Sequence, residues 1–406
     1  MLKKLSSKFL AAEKNFSGKS YLYESGRAVW MNREYKKFAD EAYVKNVIAH
    51  RAINMISSSA ASIPLKLYAG ANVVHKHQVL NLLSKPNPTQ SGKEFLESIY
   101  SYRQISGNAF ILVICGNNNQ PVELYALRPD RVSIVSDSNL LPKAYHYKVG
   151  KQVVEYPVDS ITGRSQVLHI KNFHPLSDWY GLSSIEAAAY SIDQHNQAGE
   201  WNQALLQNGA RPSGAIIVDT NDGRDRLTEL QYSELKSMID TIFSGPRNAG
   251  RPILLEGGLD WKEMSLSPKD MDFIESKHSS ARDIALALGV PPQLLGIPGD
   301  NTYSNLQEAR LALWEQTILP MAENVIEGLS NWLLPFYSSN LSLACDIDNI
   351  SALSARREEV WNRVENCSFL TINEKRASVG LGPVAGGDTI NYSSITARSQ
   401  FGDAAF

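Results

Sequence analysis

The sequence predicts an α+β fold, because helix-like and strand-like patterns occupy separate stretches of the chain. Apolar residues first recur with a helical period from Tyr43 to about Ala61. Short strand-like runs then follow between Ala109 and Ile170, separated by turn residues at intervals of about 8–12 residues, as in an antiparallel meander. Two long helical patterns come next, on either side of residues 209–266. Segregation of this kind, with little βαβ alternation, is typical of α+β proteins.

The N-terminal part combines a polar arm with short helices and strands. Residues 1–42 are polar and lack a sustained period, which predicts an arm that is at most partly ordered. A strand is expected at 65–68 after Pro64, and two short helices are expected at 78–83 and 93–104. Further strands are expected at 109–115, 122–127, 132–135, 145–149 and 167–170.

The first long helix is expected from Ser183 to about Asn208 and is unusually polar. Ser183 and Glu186 have the spacing of a capping box at its start. Beyond Ile192 most side chains are amides, hydroxyls or small residues, with Trp201 among the few apolar ones. A helix that is polar around most of its circumference bridges solvent or packs against copies of itself.

The segment between the long helices, residues 209–266, is expected to form a compact insert. It contains a strand-like run at 215–218 and a helical pattern at 227–243. A hairpin is expected to join 252–256 to 260–264 through a turn at Gly257-Gly258.

The second long helix and the loop after it carry clear start and stop signals. Ser267 and Pro268 suit the start of a helix that runs to Leu288, and Gly289 ends it. The loop 291–303 contains three prolines and two glycines. The prolines restrict the ends of the loop, while the glycines leave its tip adjustable.

A further long helix is expected from Ser304 to about Tyr337. Ser304 and Gln307 have the spacing of a capping box, and Pro320 predicts a kink. A strand and two shorter helices are expected after it, at 341–347, at 351–365 and from Thr371, which forms a capping-box pattern with Glu374.

Charge and composition argue against several classes of protein. The chain has 40 lysine and arginine residues and 42 acidic residues, which gives a formal net charge of −2. Proteins that bind nucleic acid tightly usually have an excess of basic residues, which this chain lacks. The three cysteines are far apart and are expected to be reduced thiols of a cytosolic protein. No apolar run approaches the roughly 20 residues of a membrane span. We therefore expect a soluble chain that is made in the cytosol.

Patterns that would indicate an enzyme or a metal site are weak. The sequence lacks a phosphate-binding loop, a nucleophile elbow and the common zinc-binding motifs. His169 and His174 fit a strand end and its loop better than a zinc site. Asp346 and Asp348 lack the glycine and glutamate of a calcium loop. We therefore expect no enzyme activity, no catalytic residues, no cofactor and no bound metal.

Several long motifs occur in order along the middle of the chain. They are Gly181-Leu182-Ser183, the run 208–214 (Asn-Gly-Ala-Arg-Pro-Ser-Gly), Gly250-Arg251-Pro252, Leu255-Glu256-Gly257-Gly258, the run 285–296 (Ala-Leu-Ala-Leu-Gly-Val-Pro-Pro-Gln-Leu-Leu-Gly) and Asn305-Leu306-Gln307-Glu308-Ala309. Together, over about residues 40 to 385, they resemble the phage portal protein family, the head–tail connectors of long-tailed phages and gene transfer agents.

The resemblance implies a homo-oligomeric ring, a dodecamer, at one capsid vertex of a virion or phage-like particle. Double-stranded DNA would pass through it without sequence specificity. The expected partners are the terminase large subunit, a head–tail adaptor and the major capsid protein, with assembly in the bacterial host cytoplasm and no membrane. The alternative is another subunit of the DNA-packaging machinery such as a nuclease, which a cluster of metal-binding carboxylates would support.

The resemblance also divides the chain into the parts of a portal-type protomer. These are an N-terminal arm (1–42), an α+β wing (43–182), a stem helix (183–208), a clip (209–266), a second stem helix (267–290), a tunnel loop (291–303), a long helix from wing to crown (304–337) and a C-terminal wing and small crown region with a tail (338–406).

Two sets of residues are the candidate sites that the resemblance implies. The first is the loop tip, which is expected to line the DNA channel at its narrowest part. It consists of Gly299, Asp300, Asn301, Thr302, Tyr303 and Ser304. The alternative is that this loop is an ordinary connection between two helices. The second set lies in the insert and is expected to bind the motor or the adaptor. It consists of Leu259, Asp260, Trp261, Lys262 and Glu263. Trp261 would suit the core of the insert equally well.

Overall fold

The computed structural model describes most of the chain between residues 34 and 389. The described residues are 34–70, 72–136, 142–207, 214–218, 228–230, 233, 237, 259–263, 273–299, 302–337 and 340–389. The expected helix start at Ser267-Pro268, the strand at 252–256 and most of the helix at 227–243 lie outside them.

The first described helices extend into the stretch that the sequence assigned to an arm. A short α-helix, Tyr35–Lys37 (α1), continues as a π-helical segment, Phe38–Val44. Phe38 and Ala42 are buried in the main core, so this part of the expected arm packs with the helices that follow it. The next helix, Val47–Ala61 (α2), begins after Asn46, whose side chain accepts hydrogen bonds from two amides of the first turn.

Two further helices complete the N-terminal helical layer. They are Gln78–Ser84 (α3) and Gly92–Ser106 (α4), close to the bounds expected from the sequence. Ser91 and Glu94 form a capping box at the start of α4, and Gly107 ends it with a φ of 74°. Helices α2 and α4 pack against each other and supply much of the main core.

All described strands pair in antiparallel fashion, in four separate sheets. The strands are Leu65–Ala69 (β1), Asn72–Val74 (β2), Asn108–Cys115 (β3), Pro121–Leu127 (β4), Val132–Ser136 (β5), Pro142–Val149 (β6), Gln152–Pro157 (β7), Val167–Lys171 (β8), Gly214–Val218 (β9), Leu259–Glu263 (β10) and Leu341–Cys345 (β11). The strand orders in the four sheets are β11-β1-β2, β4-β3-β8, β5-β6-β7 and β10-β9.

The strands expected between residues 109 and 170 are present, but they do not form one meander. Strand β8 returns to pair with β3, which leaves β5, β6 and β7 as a second three-stranded sheet. Strand β7 was not expected, because the adjacent valines Val153 and Val154 interrupt the alternation of apolar and polar residues that marks a strand.

The long helix expected from Ser183 is divided near its start. A short helix, Ser184–Ala187 (α5), is followed by Ala189–Gln207 (α6), with Ala188 outside helical geometry between them. Ser183 fixes the start of α5, since its hydroxyl accepts a hydrogen bond from the Ile185 amide and donates to the carbonyl of Ile105 at 2.7 Å.

The remaining helices follow the expected order with different bounds. They are Phe273–Ala287 (α7), Tyr303–Leu313 (α8), Leu319–Leu333 (α9), Ser354–Glu365 (α10) and Ile372–Ser378 (α11). Helical structure continues from α8 to α9 through a π-helical segment, Trp314–Ile318. This wider turn lies just before Pro320, which has no N–H to donate, so the irregularity expected at that proline takes a π-helical form.

The main core lies where the N-terminal helices, β3 and the C-terminal helix α9 meet. Its fully buried side chains include Phe95, Tyr100, Ile111, Ile192 and Ile284. Among the described helices, none has the length and apolar character needed to span a membrane.

Candidate functional site

The loop between α7 and α8 is anchored at its start to the π-helical segment Trp314–Ile318. Gly289 has a φ of 68°, and a Cβ at this position would lie 2.8 Å from the hydroxyl oxygen of Thr317. That hydroxyl donates a hydrogen bond to the Gly289 carbonyl at 2.7 Å. Glycine is therefore required here both for its left-handed backbone and for the close approach of Thr317.

The middle of the loop is short, turned and partly buried. Pro292–Leu295 forms a 3₁₀-helix, which Gly296 ends with a φ of 72°. Ile297 is buried against Ala281 and Ala285 of α7, so the loop folds back onto the helix that precedes it. One hydrophobic side chain thus holds the second half of the loop in place.

The far end of the loop is fixed by polar contacts on both sides of its tip. The Arg282 guanidinium donates a hydrogen bond to the Pro298 carbonyl at 2.7 Å. Thr302 caps α8, since its hydroxyl accepts a hydrogen bond from the Asn305 amide at 3.3 Å. The cap is therefore Thr302 and not Ser304, because the Thr302 backbone is extended and helical geometry already begins at Tyr303.

The structure places four of the six candidate loop residues together on the surface. Gly299 and Thr302 are exposed on either side of Asp300 and Asn301, which lie outside the described residues. Tyr303 and Ser304 belong to the first turn of α8 and are also exposed, Tyr303 to 76%. The Tyr303 hydroxyl accepts a hydrogen bond from the Gln307 amide at 3.0 Å. The described part of the tip is thus polar and presented to solvent from fixed ends.

Helices α6 and α7 pack against each other at the end nearest this loop. Ser280 of α7 donates to the Gln194 side chain of α6 at 3.5 Å, and Ser191 donates to Asp283 at 3.4 Å. Ile192 and Ile284 are both fully buried at the same end. Packing between apolar side chains holds the pair together there, since both hydrogen bonds are long.

Helix α6 is also fixed to the N-terminal helices by a buried amide network. The Asn46 amide donates to Asn196 Oδ1 at 2.9 Å and to His195 Nδ1 at 3.2 Å. Its oxygen accepts the capping hydrogen bonds from Ile48 and Ala49. Burial and the nearby positive charge of Lys277 lower the pKa of His195, which favours the neutral imidazole that can accept this hydrogen bond.

This network changes the interpretation of the polar helix. The polarity of α6 predicts a helix that bridges solvent or packs against copies of itself. His195 and Asn196 instead bond within the protomer, and Asn196 also donates to the Glu41 carbonyl at 2.9 Å. The described residues from Gln197 to Ala204 include no buried side chain.

The five candidate residues of the insert all lie in strand β10. This strand pairs with β9, with Leu259 opposite Val218 and Glu263 opposite Gly214. The partner expected from the sequence, residues 252–256, lies outside the described part of the chain. The strand expected at 215–218 is confirmed.

Charges of both signs are interspersed on the described surface near the loop. Lys277 and Arg282 of α7 are exposed beside Glu275 and Asp283. Proteins that bind nucleic acid mainly by electrostatic attraction carry several Lys or Arg side chains that replace the counterions of successive phosphates. The interspersed charges on α7 are unlike such a set.

The residues weighed as metal ligands have other partners. His169 is stacked on Phe110 at 4.3 Å and hydrogen-bonded to Asn108 at 2.9 Å. Burial and the nearby Lys171 lower its pKa to about 3. Asp346 forms an ion pair with Lys66 at 2.7 Å. Among the described residues there is no group of three or more potential ligands that would hold a metal ion.

Comparison with known proteins identifies the family. The family model described as phage portal protein matches residues 48–380. The portal protein of Enterobacteria phage HK97 is 26% identical over 366 residues, which cover 86% of this chain and 82% of the phage protein. An uncharacterized protein of Rickettsia bellii (strain RML369-C) is 44% identical over 378 residues, covering 93% of this chain and 97% of the relative.

A solved structure supports the same assignment. A chain in the neck of a native gene transfer agent particle, computed with C12 symmetry, is 40% identical and superposes with a TM-score of 0.67. The match covers 88% of this chain and 96% of the neck chain. The chain therefore belongs to the phage portal protein family. It is a structural protein and not an enzyme, and the nuclease alternative is not supported.

Proposed function

We propose that the chain forms the ring-shaped portal at one vertex of a phage-like particle, through which DNA is packaged and ejected. The main support is the match over 88% of the chain to a component of a gene transfer agent neck computed with C12 symmetry. We expect a homo-oligomer of twelve copies, built by repetition of one heterologous contact around a closed ring. The polar, exposed halves of α6 and α7 suit surfaces that such copies share.

The loop tip, residues 299–304, is proposed to line the narrowest part of the channel. Its support is the contrast between fixed ends and an exposed polar tip: Gly289 and Ile297 are held against the body of the protomer, whereas Tyr303 faces solvent. Asp300 would repel phosphates, and Asn301 and Thr302 offer hydrogen bonds that are easily exchanged. Such a lining lets a duplex slide, since sequence readout requires lasting contacts with base edges.

The insert between α6 and α7 is proposed to be the clip, where the packaging motor docks first and a head–tail adaptor later. Strand β10, with Leu259, Asp260, Trp261, Lys262 and Glu263, is the proposed contact segment. The partners in this proposal are the terminase large subunit, the adaptor and, around the ring, the major capsid protein. The wing, stem, tunnel loop and crown assigned from the resemblance belong to the same proposal.

A DNA-packaging assay tests the roles of both segments. Replacing Asp300 and Asn301 with lysines is expected to slow or stall translocation, because each copy in the ring then adds two positive charges that bind phosphates. Charge reversal at Lys262 or Glu263 is expected instead to impair motor docking or tail joining. Normal numbers of DNA-filled particles from the lysine variant would show that the loop does not face DNA.

The controls separate these roles from assembly. Both kinds of variant are expected to form rings as the unchanged chain does, since neither alters a buried residue of the described core. Asp300→Ser and Asn301→Ser remove the native side chains without adding positive charge and are expected to package DNA at a nearly normal rate. Unchanged packaging and tail joining in both clip variants would contradict the clip assignment.

A further inference from the structure

An exposed apolar loop lies between β8 and α5 and includes none of the candidate site residues. Phe173 and Leu176 in this loop are 85% and 91% exposed. Large apolar side chains that lie close together on a surface mark an interaction site more often than isolated ones. We refer to residues 172–182 as the apolar loop.

The two ends of the apolar loop meet at one glycine. The Asn172 amide donates to the Gly107 carbonyl at 2.8 Å, and the Gly181 amide donates to Asn108 Oδ1 at 2.7 Å. A Cβ on Gly107 would lie 2.4 Å from the Gly181 carbonyl oxygen. The segment is therefore a closed excursion of the Ω-loop type, whose base is fixed at the C-terminal end of α4.

Hydrogen bonds within the apolar loop and from the neighbouring strands β5 and β8 also fix its backbone. The Leu176 amide donates to His174 Nδ1 at 3.0 Å, and the Ile134 amide donates to the Tyr180 hydroxyl at 3.0 Å. Lys171 donates to the Asp178 carbonyl. The exposed side chains are thus presented by a defined backbone, which reduces the entropy lost when they bind.

An apolar groove of about 660 Å³ lies at the opposite end of the same helix. A Cβ on Gly92, in the first turn of α4, would lie 2.2 Å from the Leu83 carbonyl, so α3 and α4 meet closely at the groove floor. The groove is lined mainly by the apolar side chains of Ala61, Ile63, Leu65, Leu80, Leu83 and Leu96.

The groove and the apolar loop are separated by the length of α4. This helix has 15 residues, which corresponds to roughly 22 Å at 1.5 Å per residue. A subunit of a ring meets its two neighbours through two different surfaces, because ring contacts are head-to-tail. The exposed apolar loop at one end of α4 and the apolar groove at the other end are two different surfaces of this kind.

We propose that the apolar loop of one subunit inserts Phe173 and Leu176 into the α3–α4 groove of the neighbouring copy in the ring. The proposal rests on the ring proposed above and assigns one of its contacts. An ion pair can form across this contact, since Asp178 is exposed on the loop and Lys93 is exposed at the groove. The occupant of the groove is thus a second copy of this chain.

Disulfide cross-linking in rings of the full-length chain tests the contact. The double variant Leu176→Cys with Ser84→Cys, an exposed residue at the groove, is expected to give a ladder of covalent oligomers under oxidising, non-reducing conditions. The matched control is Ile161→Cys with Ser84→Cys, because Ile161 is 92% exposed but lies outside the apolar loop. It is expected to give no more cross-linking than the unchanged chain, which keeps its native Cys115, Cys345 and Cys367.

A second pair of variants measures the contribution of the apolar side chains. Phe173→Ser with Leu176→Ser is expected to weaken subunit association by about tenfold or more at each contact, because two large apolar side chains lose their burial. Ile161→Ser removes an equally exposed apolar side chain and is expected to leave association unchanged. Circular dichroism is expected to be unchanged in both variants, since all three positions are exposed.

The outcomes distinguish this contact from the ring itself. If the unchanged chain forms rings but the cross-link stays at control level, or if the double serine variant assembles normally, the contact is wrong and the ring remains. If rings assemble and only their incorporation into capsids is lost, the apolar loop binds another particle protein and the proposal is overturned. A chain that forms no ring in purified form or in particles contradicts both proposals.

Discussion

Helices α6 and α7 each have a buried half and an exposed half, and the difference separates folding from assembly. Near the loop, Ile192 and Ile284 are fully buried and link both helices to the main core. Farther away, residues 197–204 of α6 have no buried side chain, and Ile274 of α7 is 73% exposed. The buried halves determine where the helices sit on the protomer, while the exposed halves remain available for neighbouring copies and the insert.

The largest expected effect on protomer stability follows from truncating a buried side chain in this pair. Ile284→Ala is expected to lower the free energy of unfolding by about 2–5 kcal/mol, through lost burial and a residual cavity. Ile274→Ala makes the same chemical change in the exposed half and is expected to alter it by less than about 0.5 kcal/mol. Denaturant unfolding of the monomer measures both values, and equal losses would contradict the division into two halves.

A smaller loss is expected at Asn46, which caps α2 and holds α6. Asn46→Ala removes both functions and is expected to cost about 2 kcal/mol. Asn46→Ser keeps a capping oxygen but lacks the amide that reaches His195 and Asn196, so it is expected to recover only about half of that loss. Full recovery in the serine variant would mean that the contact with α6 contributes nothing to stability. Denaturant unfolding at pH 8 separates the two contributions.

The smallest effect is a pH dependence that originates at His195. Its pKa is lowered in the folded protein from a usual value of 6.5, so the unfolded chain takes up the proton first. Stability is therefore complete above about pH 6.5 and falls as the pH is lowered, by at most about 1.4 kcal/mol per pH unit for each such histidine.

His195→Asn is the matched variant, because its amide oxygen replaces Nδ1 as the acceptor but does not titrate. Between pH 6.5 and 5, its free energy of unfolding is expected to fall less steeply than that of the unchanged chain. The remaining slope is assigned to His169, whose pKa is also lowered by burial. Identical slopes in the two proteins would show that His195 is not held neutral by the fold.

Local signals in the sequence predicted elements where a few neighbouring residues decide the structure. The capping box of Thr371 and Glu374 is confirmed, and so is the end of α7 near Gly289. The cap of α8 was placed at Ser304 instead of Thr302, because both residues can cap and the pattern alone does not show which one has an extended backbone. Pro320 predicted an irregular helix at this point, but the sequence pattern does not show that the irregularity takes a π-helical form.

The contacts that fix the candidate site were not predictable, because they join residues far apart in sequence. Thr317 bonds to a carbonyl 28 residues earlier, and Asn46 bonds to a histidine 149 residues later. Nothing in the sequence around Arg282 indicated that its guanidinium would bind the Pro298 carbonyl of the loop. The sequence analysis places Asn46 inside a helix that starts at Tyr43, so neither its capping of α2 nor its contact with α6 was predicted.

Single-particle electron microscopy of the assembled protein shows directly whether the chain forms a ring and where residues 299–304 lie in it. We predict a closed symmetric ring in which residues 299–304 of every copy line the narrowest part of the central opening. In the same ring, the buried halves of α6 and α7 are expected to lie within one protomer and the exposed halves between copies. A ring with residues 299–304 on its outer surface would contradict their role in the channel, and particles that contain only monomers of the chain would contradict the ring.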